Sequence, residues 1–358
     1  MTDAARPSRV PRRRAHWPNR RVVLTILGAA LLAALAAGSW ASVSEGHLAP
    51  ADWRSLIVGG LARGSVYAII AVGYTLVYGI LFIINFAHGE VFMAGAFSTL
   101  FVAQGLEEAG FLNTRPIISI GILFASSMLI SMLVAIALER IAYRPLRDRP
   151  RLMTLITAIG ASLFLQYTFL GLFGASSVAY PEIDVLRGDL FGGFISRKQL
   201  VVVVGAAILM VVLYLFIGRT KTGRAMRAVG EDRETAALMG IDVERVTLNT
   251  FAIGGLLAGA AGILFVFLFN QARFYMGLVP GIKAFTAAVL GGIGSVLGAG
   301  VGGLTLGLIE SVGPALFLSG TGIPSPNQLQ PVISFGILVF VLIFRPSGIF
   351  GSPSPEGP

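Results

Sequence analysis

Long apolar segments repeat along this chain, and the short stretches between them carry most of its charge. The segments run over residues 22–43, 55–79, 85–103, 116–138, 152–173, 199–218, 247–269, 283–298, 299–318 and 331–344. Most are close to the roughly 20 residues that a membrane-spanning helix needs, and they lack the alternating polarity of membrane barrel strands. The pattern predicts an all-α, polytopic membrane helical bundle of about eight to ten membrane segments, some broken or re-entrant.

Glycines decide which segments are broken. Pairs four residues apart, such as Gly255 with Gly259 and Gly303 with Gly307, predict close helix–helix contacts. Residues 290–300, LGGIGSVLGAG, hold so many glycines that we expect a helix break there. Helix ends exposed at such a break can bind the charged ends of an amino acid. We therefore take Gly292, Gly294 and Ser295 as candidate substrate-pathway residues.

Composition supports the membrane assignment. Hydrophobic residues make up 55% of the chain and charged residues 13%, whereas soluble domains are roughly a quarter charged. The chain has no cysteine, which excludes disulfides, thiolate catalysis and cysteine-based metal sites.

The basic residues predict the orientation. Nineteen of the 27 lysines and arginines lie in residues 1–21, 139–151 and 219–246 and at Arg345. Because basic loops stay inside, these stretches and both termini are predicted to be cytoplasmic, and Lys283 is expected at the outer boundary. The net charge of +9 then reflects topology and membrane lipid rather than nucleic-acid binding.

Three regions follow from this pattern. Residues 1–50 are predicted to form a basic cytoplasmic N-terminus and an uncleaved transmembrane helix, because 22–43 is longer than the apolar core of a signal peptide. Residues 51–351 form the transmembrane domain, and 352–358 a tail.

The longest cytoplasmic stretch is predicted at residues 219–246. Asp232 is a suitable N-cap for a short helix and Gly240 a suitable residue just after its C-cap. The alanines at 236 and 237, followed by Leu238 and Met239, would give this helix a small apolar face. Such a helix can lie in a partner's groove; the alternative is a solvated loop.

Glu234, Ala236, Ala237 and Gly240 resemble the Glu-Ala-Ala…Gly motif in the cytoplasmic coupling segment of ABC-transporter permeases, with Thr235 in place of the first alanine. Four longer blocks extend the resemblance: RGSVYAIIAVGYTLVYGILFIINFAHGEVFMAGAF, ALERIAYRPLRDRPRLMTLITAIGASLFLQY, GRAMRAVGEDRETAALMGID and GIKAFTAAVLGGIGSVLGAGVGGLTLGLIES. Over residues 55–351 the chain resembles the permease of the high-affinity branched-chain amino acid ABC transporter family. Residues 1–50 depart from that pattern.

The resemblance implies half of an importer channel in the bacterial inner membrane. Its expected partners are two cytoplasmic ATPase subunits, a second related permease and a periplasmic solute-binding protein. ATP would be hydrolysed by the partner subunits, and no cofactor is expected on this chain. The resemblance assigns ATPase coupling to Arg224, Glu231, Asp232, Glu234, Ala236, Ala237 and Gly240.

Two stretches of the chain look like nucleotide-binding motifs, and both are rejected. Residues 218–224, GRTKTGR, place Arg224 where a phosphate loop needs lysine. Residues 298–303, GAGVGG, lie in a membrane segment without the strands of a dinucleotide fold. Energy must therefore come from a partner or from a gradient.

The stretch INFAHGEVFMAGAF, residues 84–97, places Asn85, His88 and Glu90 in an apolar segment, where burial of polar groups is costly. On one helix Asn85 and His88 would share a face, with Glu90 about 160° away. His88 hydrogen-bonding to a neighbouring helix, Asn85 and His88 lining the solute path, and proton coupling all remain open. We take Asn85 and His88 as candidate pathway residues.

The predicted function is a transport subunit, not an enzyme, of an ATP-driven importer of branched-chain or similar amino acids. The alternatives are the same machine for urea or short amides, and a gradient-driven secondary transporter, which would have no use for a coupling helix.

Overall fold

The computed structural model of the chain describes residues 36–42, 44, 50–82, 84–147, 149–318, 326–345 and 347–351. Residues 36–42 are helical, while the rest of the helix predicted at 22–43, the basic residues 1–21 and the tail 352–358 lie outside this description.

Twelve α-helices are numbered here from residue 50 onward. They are α1 (Pro50–Leu81), α2 (His88–Glu108), α3 (Phe111–Thr114), α4 (Pro116–Leu138), α5 (Arg151–Phe173), α6 (Arg197–Arg219), α7 (Lys221–Glu231), α8 (Arg233–Leu238), α9 (Val243–Phe269), α10 (Leu278–Gly291), α11 (Val296–Gly313) and α12 (Gln330–Phe344). Wider π-helical turns follow α4 at Glu139–Tyr143 and α11 at Pro314–Leu318, and 3₁₀ turns lie at Arg144–Leu146, Asp184–Leu186 and Pro326–Leu329. The strands have two residues each: β1 (Val178–Ala179), β2 (Asp189–Leu190), β3 (Ile195–Ser196) and β4 (Gln271–Ala272).

Seven helices in the described part of the chain are long and apolar enough to cross a membrane, and α10 and α12 are shorter apolar helices. This confirms the all-α polytopic bundle. The boundary predicted between residues 298 and 299 lies instead at 292–295, between α10 and α11. At 14 residues, α10 is only ~21 Å long, less than the ~30 Å hydrocarbon core.

The bundle has two distinct ends. At the end that we call the loop end, β1 pairs antiparallel with β4, and the Tyr180 hydroxyl donates to the Thr99 carbonyl at 3.1 Å. At the opposite, coupling end, α7 and α8 continue from α6. Arg144 there forms an exposed ion pair of 2.6 Å with Glu244, which links the segment after α4 to the start of α9.

Close backbone contacts hold α1 at the centre of the bundle. A Cβ atom added at Gly303 would overlap the backbone of Ala68, and one at Gly307 would overlap Gly64. A glycine also allows close contact between α9 and α4, where Gly259 faces Ser127. The Ser127 hydroxyl donates a hydrogen bond to the Gly259 carbonyl at 2.7 Å. The close contacts predicted from paired glycines are thus present.

Replacing Gly303 by alanine is expected to lower the thermal unfolding temperature of the purified protein, because the added methyl group pushes α1 away from α11 at a cost of about 1–3 kcal/mol. Gly171→Ala is the matched control, since no heavy atom lies within 4 Å of its Cβ position. Equal unfolding temperatures for the two variants would contradict the assigned contact.

Candidate functional site

The segment between α1 and α2 turns back into the bundle. α1 ends at Leu81, and α2 begins at His88, whose ring centroid is 4.8 Å from that of Tyr74. Tyr74 precedes the end of α1 by about two helical turns, or ~11 Å, so α2 begins inside the bundle. Asn85 precedes the helix, and the expectation that Asn85 and His88 share one helical face is therefore wrong.

Asn85 holds this segment in place. The Tyr143 hydroxyl donates to the Asn85 Oδ1 atom at 2.6 Å, and both residues are buried. Tyr143 lies in the π-helical turn after α4, and its ring is 5.3 Å from the ring of Phe251 in α9. Through Tyr143, Asn85 thus connects the non-helical segment to the turn after α4 and to α9.

His88 and Glu90 keep unused hydrogen-bonding capacity. His88 is 2% exposed and Glu90 is fully buried. Glu90 Oε1 accepts a weak hydrogen bond of 3.5 Å from the Ser162 hydroxyl, whereas His88 Nε2 and Glu90 Oε2 have no partner in the described residues. Buried polar atoms are normally satisfied, and these lie at the first turn of α2, where the helix dipole favours negative charge.

The break predicted at residues 290–300 is a tight turn. Gly292 and Gly294 have φ values of +103° and +100°, which side chains larger than glycine rarely adopt. The Ser295 hydroxyl caps α11 by accepting from the Gly298 amide at 3.1 Å. The amides of Ile349 and Phe350 donate to the last carbonyls of α10, at 2.9 and 3.0 Å.

The structure brings the two candidate stretches together. Ile84, beside Asn85, and Ile293, inside the glycine turn, line one cavity with Tyr74, Thr75 and Tyr78. This cavity has a volume of only about 10 Å³, roughly that needed for a single water molecule. A path along these residues is therefore closed in this conformation.

A buried ion pair lies among four helices. Lys283 Nζ of α10 is 2.9 Å from Glu310 Oε2 of α11, and both side chains are buried. The Tyr67 hydroxyl of α1 donates to the same oxygen at 3.1 Å, and the Ser334 hydroxyl of α12 donates to Glu310 Oε1. Lys283 is thus buried and paired within the bundle.

Sequence reasoning missed this pair because it treated the two charges separately. The available signal was a lysine and a glutamate in adjacent apolar segments, 27 residues apart.

The coupling segment has the predicted caps. The Asp232 carboxylate accepts hydrogen bonds from the Glu234 and Thr235 amides at 2.9 and 3.1 Å. Hydrogen bonds from the Thr235 hydroxyl and amide lower the pKa of Asp232. After α8, Met239 is the C-cap and Gly240 has a φ of +84°.

The side chains of this segment divide into two groups. Ala236 faces inward and is buried, while Leu238 and Met239 are 88% and 79% exposed. Exposed positions also include Arg224, Glu231, Asp232, Glu234 and Ala237. An apolar tip at the end of a capped helix is suited to insertion into a protein partner.

Comparison with known proteins adds to this geometry. The family model described as "Branched-chain amino acid transport system / permease component" matches residues 56–342. The chain belongs to this family. It is 41% identical to the high-affinity branched-chain amino acid transport system permease protein BraD of Pseudomonas aeruginosa, over 84% of this chain and 96% of that protein. It is 40% identical to the corresponding protein LivH of Escherichia coli, over 83% of this chain and 95% of that protein.

Membership in the permease family has direct consequences. Such permeases are multi-pass inner-membrane transport components of ABC transporters, and they work with ATPase and substrate-binding partners. Neither substrate-pathway candidates nor coupling residues are assigned by the comparisons, so these roles remain predictions.

Removing one member of the buried pair is expected to destabilise this permease strongly. Lys283→Met leaves Glu310 as an uncompensated buried charge, which costs about 3–5 kcal/mol. The double variant Lys283→Met/Glu310→Met is expected to be more stable than Lys283→Met. Thermal unfolding in detergent measures the stability of the single and double variants. A loss of stability in the double variant equal to the sum of the losses in Lys283→Met and Glu310→Met would contradict the pairing.

Proposed function

We propose that this chain passes branched-chain or similar amino acids across the inner membrane as the permease subunit of an ATP-driven importer. The main support is the family match over residues 56–342. The capped coupling helix gives structural support, because an exposed apolar tip on α8 has a clear use in a machine driven by partner ATPases.

The distribution of charge supports an orientation. Residues 139–147, 149–151 and 219–246 lie at the coupling end and are rich in arginine. By the preference of basic loops for the cytoplasm, this end and both termini face the cytoplasm, and the loop end faces the periplasm.

The proposed assembly has four kinds of component. This permease pairs with a second related permease, two cytoplasmic ATPases bind the coupling helices, and a periplasmic binding protein delivers the solute at the loop end. ATP is bound and hydrolysed by the ATPases alone. Asn85 and His88, together with the turn at Gly292, Gly294 and Ser295, line the inner part of the path. The unsatisfied His88 Nε2 atom favours this assignment.

The test is uptake by the assembled transporter in proteoliposomes with its cognate binding protein. We expect leucine to be taken up only when ATP is present on the side of the membrane that carries the ATPases. Serine and urea are expected to be taken up much less than leucine. Faster uptake of urea would favour the amide alternative, and leucine uptake without ATP along an ion gradient would favour a secondary transporter.

Gly240→Val is expected to uncouple transport from ATP hydrolysis. A side chain at this left-handed position strains the end of α8 by roughly 1–2 kcal/mol, enough to lower a conformational population about 5- to 30-fold. We expect leucine uptake to fall by a similar factor, with the amount of inserted permease unchanged.

The matched control is Gly192→Val. Gly192 also has a positive φ, of +69°, with open space around it, but it lies at the loop end. Normal uptake by Gly240→Val, or an equal loss in Gly192→Val, would contradict coupling through α8.

A further inference from the structure

A cavity of about 510 Å³ opens at the loop end, and we call it the outer cavity. It lies between α1, the end of α9, the start of α10 and the start of α12. Its basic lining residues are Arg63, Arg273 and Lys283, and its apolar wall includes Phe265, Phe269 and Val279. Its volume falls within the range of about 300–1,000 Å³ for small-molecule sites. It lies apart from the candidate path at Asn85, His88 and the glycine turn.

The charges around the outer cavity are not balanced. Lys283 is neutralised by Glu310, and none of the described residues that line the cavity is acidic. Arg63 is half-buried and makes no ion pair or hydrogen bond with the residues that the structure describes. A partly buried cation without a counter-charge is unfavourable, so an anionic ligand is favoured beside Arg63.

Within the described part of the chain, Arg273 has only neutral hydrogen-bond partners. Its Nη1 and Nη2 atoms donate to the Tyr275 hydroxyl at 3.0 Å and to Gln271 Oε1 at 2.9 Å. Its Nε atom is buried without a hydrogen-bond partner among the described residues. These contacts fix the guanidinium while leaving its positive charge uncompensated, as in a prearranged carboxylate site.

We propose that the outer cavity binds the transported amino acid before it enters the bundle, with Arg63 and Arg273 holding the carboxylate. The branched side chain packs against Phe265 and Phe269, and the Lys283–Glu310 pair forms a neutral floor. The identity of the ligand as an apolar amino acid rests on the proposed function, whereas the carboxylate preference rests on the cavity itself.

The absence of cysteine in the sequence allows a direct test. Val279, which lines the outer cavity and is 47% exposed, is replaced by cysteine in the assembled transporter in membrane vesicles. Labelling rates are compared for an anionic sulfonate-bearing and a cationic trimethylammonium-bearing methanethiosulfonate reagent, each normalised to its rate with a free thiol.

We expect the anionic reagent to react about fivefold faster or more, because the arginines concentrate anions in the cavity. Adding Arg63→Gln should remove most of this preference, whereas Arg54→Gln should keep it. Arg54 lies two to three turns earlier in α1, is exposed and does not line the cavity. A cysteine at Val185, exposed on the loop between α5 and α6, reports the background preference. Equal normalised rates for the two reagents at Val279→Cys would overturn the proposal.

Ligand protection then tests the carboxylate. Leucine and 4-methylpentanoate, which both carry it, are expected to slow anionic labelling of Val279→Cys at least about threefold at millimolar concentration, whereas leucinamide is not. Equal protection by leucinamide, or no protection by either carboxylate, would overturn the assignment.

The outcome is separable from that of the proposed function. ATP-driven leucine uptake that is unchanged in Arg63→Gln, together with no protection, refutes the outer cavity site and leaves the importer standing. Protection by 4-methylpentanoate that is lost in Arg63→Gln supports the site even if the transporter does not take up leucine.

Discussion

The direct contact between the backbones of α1 and α11 determines how the rest of the bundle is arranged. Within a membrane, helices gain little from the hydrophobic effect on pairing, so close packing and internal hydrogen bonds must hold them together. Gly64 with Gly307, and Ala68 with Gly303, remove the side chains that would separate these two helices. The contact brings Tyr67 within hydrogen-bonding distance of Glu310. Lys283 forms an ion pair with the same carboxylate, so the buried charge of Glu310 is fully partnered. Bulkier residues along this contact would leave that carboxylate without Tyr67.

Buried polar groups in this permease fall into two classes. Lys283, Glu310, Tyr67 and Ser334 satisfy one another, which is the expected behaviour of groups that stabilise the bundle. His88 Nε2, Glu90 Oε2 and Arg273 Nε remain without partners among the described residues. Groups of the second class lower the stability of the resting protein, and the two proposed solute sites would give His88 and Arg273 a polar ligand.

Local rules predicted what depends on local sequence. The caps at Asp232 and Gly240 and the turn at Gly292 and Gly294 follow from short-range hydrogen bonding and from backbone conformations that glycine adopts easily. Helix number followed from segment length. The start of α2 at His88 could not be predicted from local sequence, because Asn85 is held by Tyr143, which is far away in the sequence. The pairing of Lys283 was missed for the same reason, because its partner Glu310 belongs to another helix.

Non-helical backbone inside the bundle has a consequence for biosynthesis. Asn85 is held by Tyr143, and the Phe86 ring packs 5.9 Å from the ring of Phe285. Both contacts come from parts of the chain that the ribosome makes later. A newly inserted pair of α1 and α2 has neither, and lipid cannot satisfy the exposed backbone. The hairpin of α1 and α2, although made early, therefore reaches its final conformation only after α10 has been inserted beside it.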